Sequence, residues 1–190
     1  MSTYAGVPLW RIASWLAAER GSEEVVSTTL SFPADPEAVW ASIVTYEEVK
    51  RPAPLWLRLL LPQPVGTKGD KTQPGAAIPC LYRGGHLTKR IRTVEAPYYL
   101  SFDVTDQHLG IERFLMARRG SYEISPAGEH GSVVELVTCY EGRLRPRWLW
   151  RPIEAAIAHA FHRHVLAGMR EEVAQCSTSA CRISSSASLR

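Results

Sequence analysis

Residues 145–175 have the spacing of apolar positions that is typical of an amphipathic helix. Pro152 suits the first turn of that helix because its missing N–H is no loss there, and no other proline follows it. With a step of about 100° per residue, the face centred on Ile157 collects Ile153, Ala160, Phe161, His164 and Gly168. This face is apolar but uneven, since it combines a bulky ring, a glycine gap and an imidazole. We therefore predict a long helix that covers a cavity.

Most of the chain before this helix alternates between apolar and polar residues, as half-buried strands do. In residues 96–106 the positions that share one face are Tyr98, Leu100, Phe102 and Val104. The dipeptide Gly84-Gly85 separates two alternating segments and predicts a hairpin turn. The predicted strand segments are residues 24–32, 79–85, 86–95, 96–106, 107–126 and 132–144.

Two short helices are predicted between the first strand and the others. Asp35 and Pro36 suit the cap and first turn of a helix within residues 33–51, and a second helix lies within 53–64. Residues 63–79 lack periodicity and predict a loop. Because strands and helices do not alternate as βαβ units, we expect an α+β fold rather than a parallel sheet.

The ends of the chain differ from its centre. Residues 7–21 form an apolar stripe at helical spacing, and two interpretations fit: an arm packed on the domain, or a helix that docks on a partner or a membrane surface. Residues 177–190 are rich in serine and predict a disordered tail. The chain is therefore divided into an N-terminal arm, 1–22, a central domain, 23–176, and the tail, 177–190.

Composition narrows the functional classes. The formal net charge of +3 is too small to indicate nucleic-acid binding, and none is expected. No apolar run is long enough for a spanning helix, and the first residues lack the pattern of a signal peptide, so we expect a cytoplasmic protein. The 4 cysteines have no metal-type or redox-type spacing and are expected to be reduced. No cofactor motif and no metal site are predicted.

The segment from Phe32 to Trp40, FPADPEAVW, joins a strand to a helix in a way that resembles the START-like (SRPBCC) superfamily, which includes polyketide cyclase-like and Bet v 1-like proteins. The resemblance covers residues 24–175. It implies a helix-grip fold, in which a curved antiparallel sheet wraps around a long C-terminal helix and leaves a largely apolar pocket. It also implies a hydrophobic ligand such as a lipid, sterol, quinone or polyketide. The superfamily offers no shared catalytic motif to transfer.

His164 is the candidate catalytic residue, because helical phase places its imidazole among apolar neighbours. A structural histidine in a closed core is the alternative interpretation. Lys89 is in phase with Leu87 and Ile91 and reaches the cavity if that face points inward, and Glu112 is a candidate partner for His164. His159 and His162 fall on the opposite side of the helix and are expected to face solvent.

Tyrosines on the strands, Tyr82, Tyr98, Tyr122 and Tyr140, offer hydroxyl groups on apolar rings that suit the wall of a pocket, although core or rim positions are the alternative. The predicted ligand-binding residues are Tyr82, Lys89, Tyr98, Phe102, Glu112, Tyr140, Ile157, Phe161 and His164.

Three functions are compatible with these patterns. The leading hypothesis is a non-catalytic protein that binds a small hydrophobic or amphipathic ligand, such as a lipid, a quinone or a polyketide-like molecule. The second is an enzyme of the cyclase/aromatase kind, in which His164 with a tyrosine or Lys89 moves protons. The third is a module that docks weakly on a membrane surface or a protein through residues 7–21 and the arginine collar, residues 143–151.

Overall fold

The computed structural model describes residues 23–45 and 52–187, with side chains described as far as Gln175. The predicted helix at 7–21 lies outside the described residues. The strands are β1 Glu23–Phe32, β2 Pro64–Thr67, β3 Ala77–Tyr82, β4 Gly85–Glu95, β5 Tyr99–His108, β6 Leu115–Pro126 and β7 Ser132–Gly142. The helices are α1 Pro36–Thr45, α2 Leu55–Leu60 and α3 Arg147–Ala187.

The strands form one curled antiparallel sheet of 7 strands in the order β1-β7-β6-β5-β4-β3-β2. Strands β2 to β7 pair with their sequence neighbours, and β1 pairs with β7, so that Val26 lies opposite Thr138. Helix α3 packs along β1 and β7 and against α1. This arrangement is the α+β helix-grip fold predicted from the sequence, with two short helices after the first strand.

The core lies between the concave face of the sheet and the helices. Ile91, Leu100 and Val134 on the sheet are almost fully buried, as is Val39 on α1. Each fully buried aliphatic side chain of this kind contributes about 1.5–3 kcal/mol of transfer free energy. The Pro36 ring starts α1 directly after Asp35, whose carbonyl oxygen accepts the first helical hydrogen bonds.

The buried face of α3 differs from the predicted one. It is centred on Leu166, which is fully buried, together with His162, Met169 and Val173. Leu166 and Ile157 lie about 180° apart on a helix, so the predicted centre of the face is wrong, although two members of the predicted face, Phe161 and His164, are packed inside the protein. The segment carries apolar residues on both sides of the helix, and contact with the sheet determines which side is buried. His162 and His159 therefore face the sheet rather than solvent, as their bonds to Thr28 show.

Helix α3 is also longer than predicted at both ends. It begins at Arg147, so Pro152 lies inside the helix, and it continues through Ala187. The missing N–H of Pro152 removes a bond only near the start of the helix, where the bonding ladder is just beginning. No proline or glycine after Gly168 stops the helix, so its backbone extends into the predicted tail. The division into arm, domain and tail stays a prediction.

Two local differences occur at the sheet margin. The predicted loop 63–79 contains the short edge strand β2 and the start of β3, which pair with each other. The strand propensity of β2 is weak because its segment contains glycine and proline. Hydrogen bonding to β3 stabilises the extended conformation there. Tyr98 lies in the turn before β5 and is 47% exposed, so it does not share the buried face of Leu100 and Phe102.

Candidate functional site

A cavity of about 110 Å³ lies between α3 and the concave face of the sheet. Its sheet side is formed by Tyr82, Lys89, Phe102 and Tyr122, and its helix side by Phe161, His162 and Val165. A smaller cavity of about 60 Å³, reaching Ile43 on α1, shares the walls formed by Lys89, Phe102 and Tyr122. The two adjoining cavities together exceed the volume of about 150 Å³ that holds benzene. The space beneath α3 therefore suits a ring-sized molecule.

The floor of the cavity is set by the packing of Phe102 on a glycine. Phe102 on β5 is paired with Gly120 on β6, and a Cβ atom added at Gly120 would lie 2.5 Å from Cζ of Phe102. The ring therefore lies flat over the backbone of the neighbouring strand instead of projecting into the cavity. The ring of Tyr122 packs beside it, with 6.4 Å between the ring centroids.

Lys89 provides the cation of the cavity. Strand alternation turns it to the same side as Leu87 and Ile91, which are buried in the core. Its Nζ lies 4.3 Å from the centroid of the Phe102 ring, at the distance of a cation–π contact. Among the described residues no carboxylate forms an ion pair with Lys89. A partly buried cation that has only an aromatic face and phenols beside it is poorly compensated.

The charge of Lys89 depends on its neighbours. Burial lowers the pKa of Lys89, but Cys80, Tyr122 and Tyr82 in their negative forms stabilise the ammonium, and the balance holds its pKa above the ordinary value. Burial in turn raises the pKa of Tyr82 and of Tyr122. At neutral pH both phenols are therefore uncharged, and Lys89 is a cation to which these tyrosines offer only hydroxyl groups.

His162 joins the helix to the sheet at the other wall of the cavity. Its Nε2 lies 2.9 Å from Oγ1 of Thr138, and its Nδ1 lies 3.0 Å from Oγ1 of Thr28. The Thr28 hydroxyl also lies 2.8 Å from Nδ1 of His159. Burial, with a smaller contribution from His159, lowers the pKa of His162 to about 4. The imidazole is therefore neutral at pH 7, with one nitrogen donating and the other accepting.

The predicted ligand-binding residues divide into two groups. Those that line the main cavity are Tyr82, Lys89, Phe102 and Phe161. Those that the structure places elsewhere are Tyr98, Glu112, Tyr140, Ile157 and His164. Whether any of them binds a ligand stays a prediction.

His164 and Glu112 do not form the predicted pair. His164 is buried but lies in a separate shallow cleft beside Ala53, Gln63 and Arg83. Glu112 lies in the turn between β5 and β6, where its Oε1 accepts a hydrogen bond from the backbone N–H of Leu109. Burial alone would raise the pKa of the Glu112 carboxyl, but the backbone N–H groups of this turn hold it below its ordinary value. Glu112 therefore has a clear structural role as a turn cap.

Tyr140 and Arg147 belong to a largely buried ionic cluster at the start of α3. Arg147 donates two hydrogen bonds of 2.8 Å to the Glu154 carboxylate and also contacts Glu24. Tyr140 is fully buried beside them, and burial together with Glu154 and Glu24 raises its pKa to about 12. Arg151 contacts Glu24 at 2.6 Å.

Much of the positive charge of the collar is thus neutralised within the domain, because Arg143 also pairs with Glu141. The exposed apolar side chains at this end of the molecule are Trp148, Leu149 and Ile153. Contact of the collar with a membrane or a protein stays a prediction. Among the described residues no helix combines the length and the apolarity needed to cross a membrane.

Several residues of the cavity wall were not among the predicted ligand-binding residues, including Cys80, Thr138 and His162. A signal existed for His162, since it shares a helical face with Leu166, Met169 and Val173 at spacings of four, seven and eleven. Cys80 and Thr138 alternate in phase with Ile78 and Leu136, which are buried, so strand period alone places them inward.

No protein-family model and no curated protein matches the sequence. Solved structures match the fold. A START superfamily protein from Mycobacterium smegmatis aligns with a TM-score of 0.59 and 13% identity over 80% of this chain and 98% of that one. Norcoclaurine synthase from Thalictrum flavum, solved with dopamine and hydroxybenzaldehyde, aligns with a TM-score of 0.57 and 12% identity over 83% and 94% of the two chains.

An aromatase/cyclase from a Streptomyces species aligns with a TM-score of 0.57 and 11% identity, over 80% of this chain and 94% of that one. At such identities the likeness concerns the fold and not the chemistry. The protein therefore has the same overall fold as these proteins, a helix-grip α+β fold.

Proposed function

We propose that the protein binds a small hydrophobic or amphipathic molecule in the cavity beneath α3. An anionic or electron-rich oxygen of this ligand would contact the ammonium group of Lys89. Of the lipid, quinone and polyketide-like ligands suggested by the sequence, ring-sized members suit the space that the two adjoining cavities offer together. A largely apolar pocket with a few convergent polar groups is the usual form of a small-molecule site.

The observation that carries this proposal is the position of Lys89. Its ammonium lies in the cavity over the Phe102 ring, and its phenol neighbours are neutral at pH 7. A ligand carboxylate, phenolate or enolate placed there would supply the missing negative charge and form a charge-assisted hydrogen bond. The surrounding Phe161 and Val165 side chains would cover the apolar part of the ligand.

Benzoate and benzamide test the proposal, because they have nearly the same shape and differ in charge. We expect the protein to bind benzoate about tenfold more tightly than benzamide, as one charge-assisted hydrogen bond warrants. Lys89→Met keeps the length of the side chain and removes the charge, and it is expected to abolish the preference. Affinities are measured by ligand-observed NMR titration at pH 7.

Lys68→Met is the matched control, because Lys68 is an exposed lysine just after β2 and does not line the cavity. This variant is expected to retain the preference for benzoate. A preference that survives in Lys89→Met, or that disappears in Lys68→Met, would show that the anion is bound elsewhere.

A second candidate is proton-transfer catalysis of the cyclase kind, which is favoured by the grouping of Lys89, Tyr82 and Tyr122 on one wall. The predicted role of His164 loses support, because that residue lies in another cleft. Benzoylacetone carries the acidic C–H group of a 1,3-diketone on a single ring. An enzyme would accelerate exchange of that proton with D₂O above the buffer rate, and His164→Ala would leave the acceleration unchanged. If the benzoylacetone proton exchanges only at the buffer rate, the catalytic candidate is excluded and ligand binding remains the proposed function.

A further inference from the structure

Two histidines and an aspartate converge on the outer face of the sheet, where β4 begins and β5 ends. His86 and His108 are directly opposite each other in the strand register, and Asp106 lies two residues before His108 on the same face. The neighbouring Leu87 and Gln107 point inward and are buried. The three side chains are about half exposed or more, at 46%, 45% and 68% for His86, Asp106 and His108. They lie outside the cavity.

Both imidazoles turn the same nitrogen toward one carboxylate. Nε2 of His86 lies 2.9 Å from Oδ2 of Asp106, and Nε2 of His108 lies 3.2 Å from Oδ1. The two rings are 4.9 Å apart between centroids. One donor atom from each of the three residues lies within 4.8 Å of the other two. Three donors of the types that zinc and copper prefer are thus brought together.

These separations match those of atoms bound to one small divalent cation. With metal–ligand bonds of about 2.0–2.1 Å, neighbouring ligand atoms are about 2.9 Å apart in octahedral and about 3.4 Å apart in tetrahedral geometry. The two nitrogen–oxygen distances fall within this interval. The donor atoms of the two imidazoles lie within 4.8 Å of each other, so the rings would turn toward one another to share an ion.

The backbone that carries the cluster is fixed by strand pairing and a tight turn. Gly84 has a φ of 85°, in the left-handed region that favours glycine, and closes the hairpin before β4. A Cβ atom added at Gly85 would lie 2.0 Å from the carbonyl oxygen of His108. The absence of a side chain there lets the start of β4 close tightly on the end of β5, which holds His86 and His108 side by side. Sites on paired strands are held more precisely than sites on loops.

We propose that His86, Asp106 and His108 form a binding site for a first-row divalent cation, with Zn²⁺ as the defining ion. The two Nε2 atoms and one carboxylate oxygen of Asp106 would bind the metal, and water would complete its coordination at the exposed side. Two imidazoles and a carboxylate select zinc, copper or nickel over magnesium and calcium, which prefer oxygen donors. This site is independent of the cavity and of the proposed ligand.

Calorimetric titration of the full chain with ZnCl₂ tests the proposal. We expect one site per chain that is lost, or weakened at least about tenfold, in His86→Ala and in His108→Ala, since removal of a direct ligand costs at least as much as loss of a supporting contact. His130→Ala is the matched control, because His130 is an exposed histidine that lies 3.7 Å from Asp35 without a second imidazole. It is expected to bind Zn²⁺ as the wild type does.

Co²⁺ provides a second readout that identifies the donors. Binding at this cluster is expected to give visible d–d bands without the strong near-ultraviolet absorption of cobalt–thiolate bonds. Equal Zn²⁺ affinity in the wild type and both alanine variants, or a thiolate band that requires cysteine, would overturn the proposal. Circular dichroism of each variant confirms that the sheet is intact, and Asp106→Asn provides a third variant that keeps side-chain size.

Discussion

The ion pair between Arg147 and Glu154 decides how the first turns of α3 are attached to the sheet. The Glu154 side chain is 7% exposed, and its carboxylate receives both hydrogen bonds from one guanidinium group. Glu24 on β1 contacts the same guanidinium group. A buried carboxylate that loses its only bidentate partner pays a large desolvation penalty.

Arg147→Met tests this role. We expect the free energy of unfolding to fall by about 3 kcal/mol, because Glu154 would stay buried without its cation. Arg92→Met is the control, since Arg92 is 57% exposed and contacts Asp103 at 3.4 Å, and it is expected to change stability by less than about 1 kcal/mol. Urea denaturation followed by circular dichroism measures both, and equal effects in the two variants would contradict the assigned role.

The neutral, buried His162 makes stability depend on pH. Its pKa is about 4 in the folded protein and near the ordinary value of 6.5 when unfolded. Between these values the unfolded chain binds a proton that the folded protein does not, so stability is fully present above pH 6.5 and is lost as pH falls toward 4. The difference corresponds to about 3 kcal/mol in total.

His162→Asn removes the titrating group and retains a polar side chain for Thr28 and Thr138. We expect the variant to be less stable at pH 7 but to lose less stability than the wild type between pH 7 and pH 5. The measurement is urea denaturation at several pH values. Parallel stability curves for the two proteins over that interval would show that His162 does not titrate as described.

At the scale of elements, the pairing of β5 with β6 determines the shape of the cavity floor. Phe102 covers Gly120 on the neighbouring strand, and both α3 and Lys89 approach the same ring. An aromatic ring that covers a cross-strand glycine replaces the packing that the glycine lacks. The register of these two strands therefore controls where the lysine and the ring meet.

Gly120→Ala is expected to destabilise the protein by about 1–3 kcal/mol, because the new Cβ would overlap the Phe102 ring. Combining it with Phe102→Leu relieves the overlap, so the double variant should be more stable than the sum of the two single effects predicts. Urea denaturation of the wild type and the three variants gives the coupling energy, expected at about 0.5–3 kcal/mol. Strictly additive effects would contradict the described packing.

The sequence predicted elements better than it predicted faces. Strand alternation placed Lys89 and Phe102 on the side that lines the cavity. A side chain on a strand can point to only one of two faces, so few alternatives had to be distinguished. On α3 the same reasoning chose the side of Ile157, although Leu166 on the other side is the buried residue. A helix with apolar residues around most of its circumference has several faces that could be buried, and contacts with distant strands determine which one is.

At the scale of the whole molecule, a resemblance carried by a short strand-to-helix segment was enough to predict the helix-grip architecture. The site was less predictable, because His164 and Glu112 needed a contact between α3 and the β5–β6 turn that nothing in the sequence specifies. His162 was missed because the helical face that it shares with Leu166, Met169 and Val173 was not recognised as the buried one. Its environment depends on Thr28 and Thr138, which lie far away in the chain and meet only when β1 pairs with β7.

The cavity beneath α3 and the exposed apolar surface of α2 are two places where a small aromatic acid would find apolar contacts. Leu55 and Leu59 on α2 are 75% and 87% exposed, and Arg58 on the same helix is an exposed cation, so α2 offers a charge but no enclosure. Charge and enclosure together therefore favour the cavity over the surface.

Intermolecular NOEs from bound benzoate are the most direct test of that conclusion. With the protein labelled at its methyl groups and aromatic rings, we expect NOEs from the benzoate ring to Phe102 and to the methyl groups of Val165, and their loss in Lys89→Met. NOEs to Leu55 and Leu59 alone, unchanged in Lys89→Met, would contradict a ligand site between the sheet and α3.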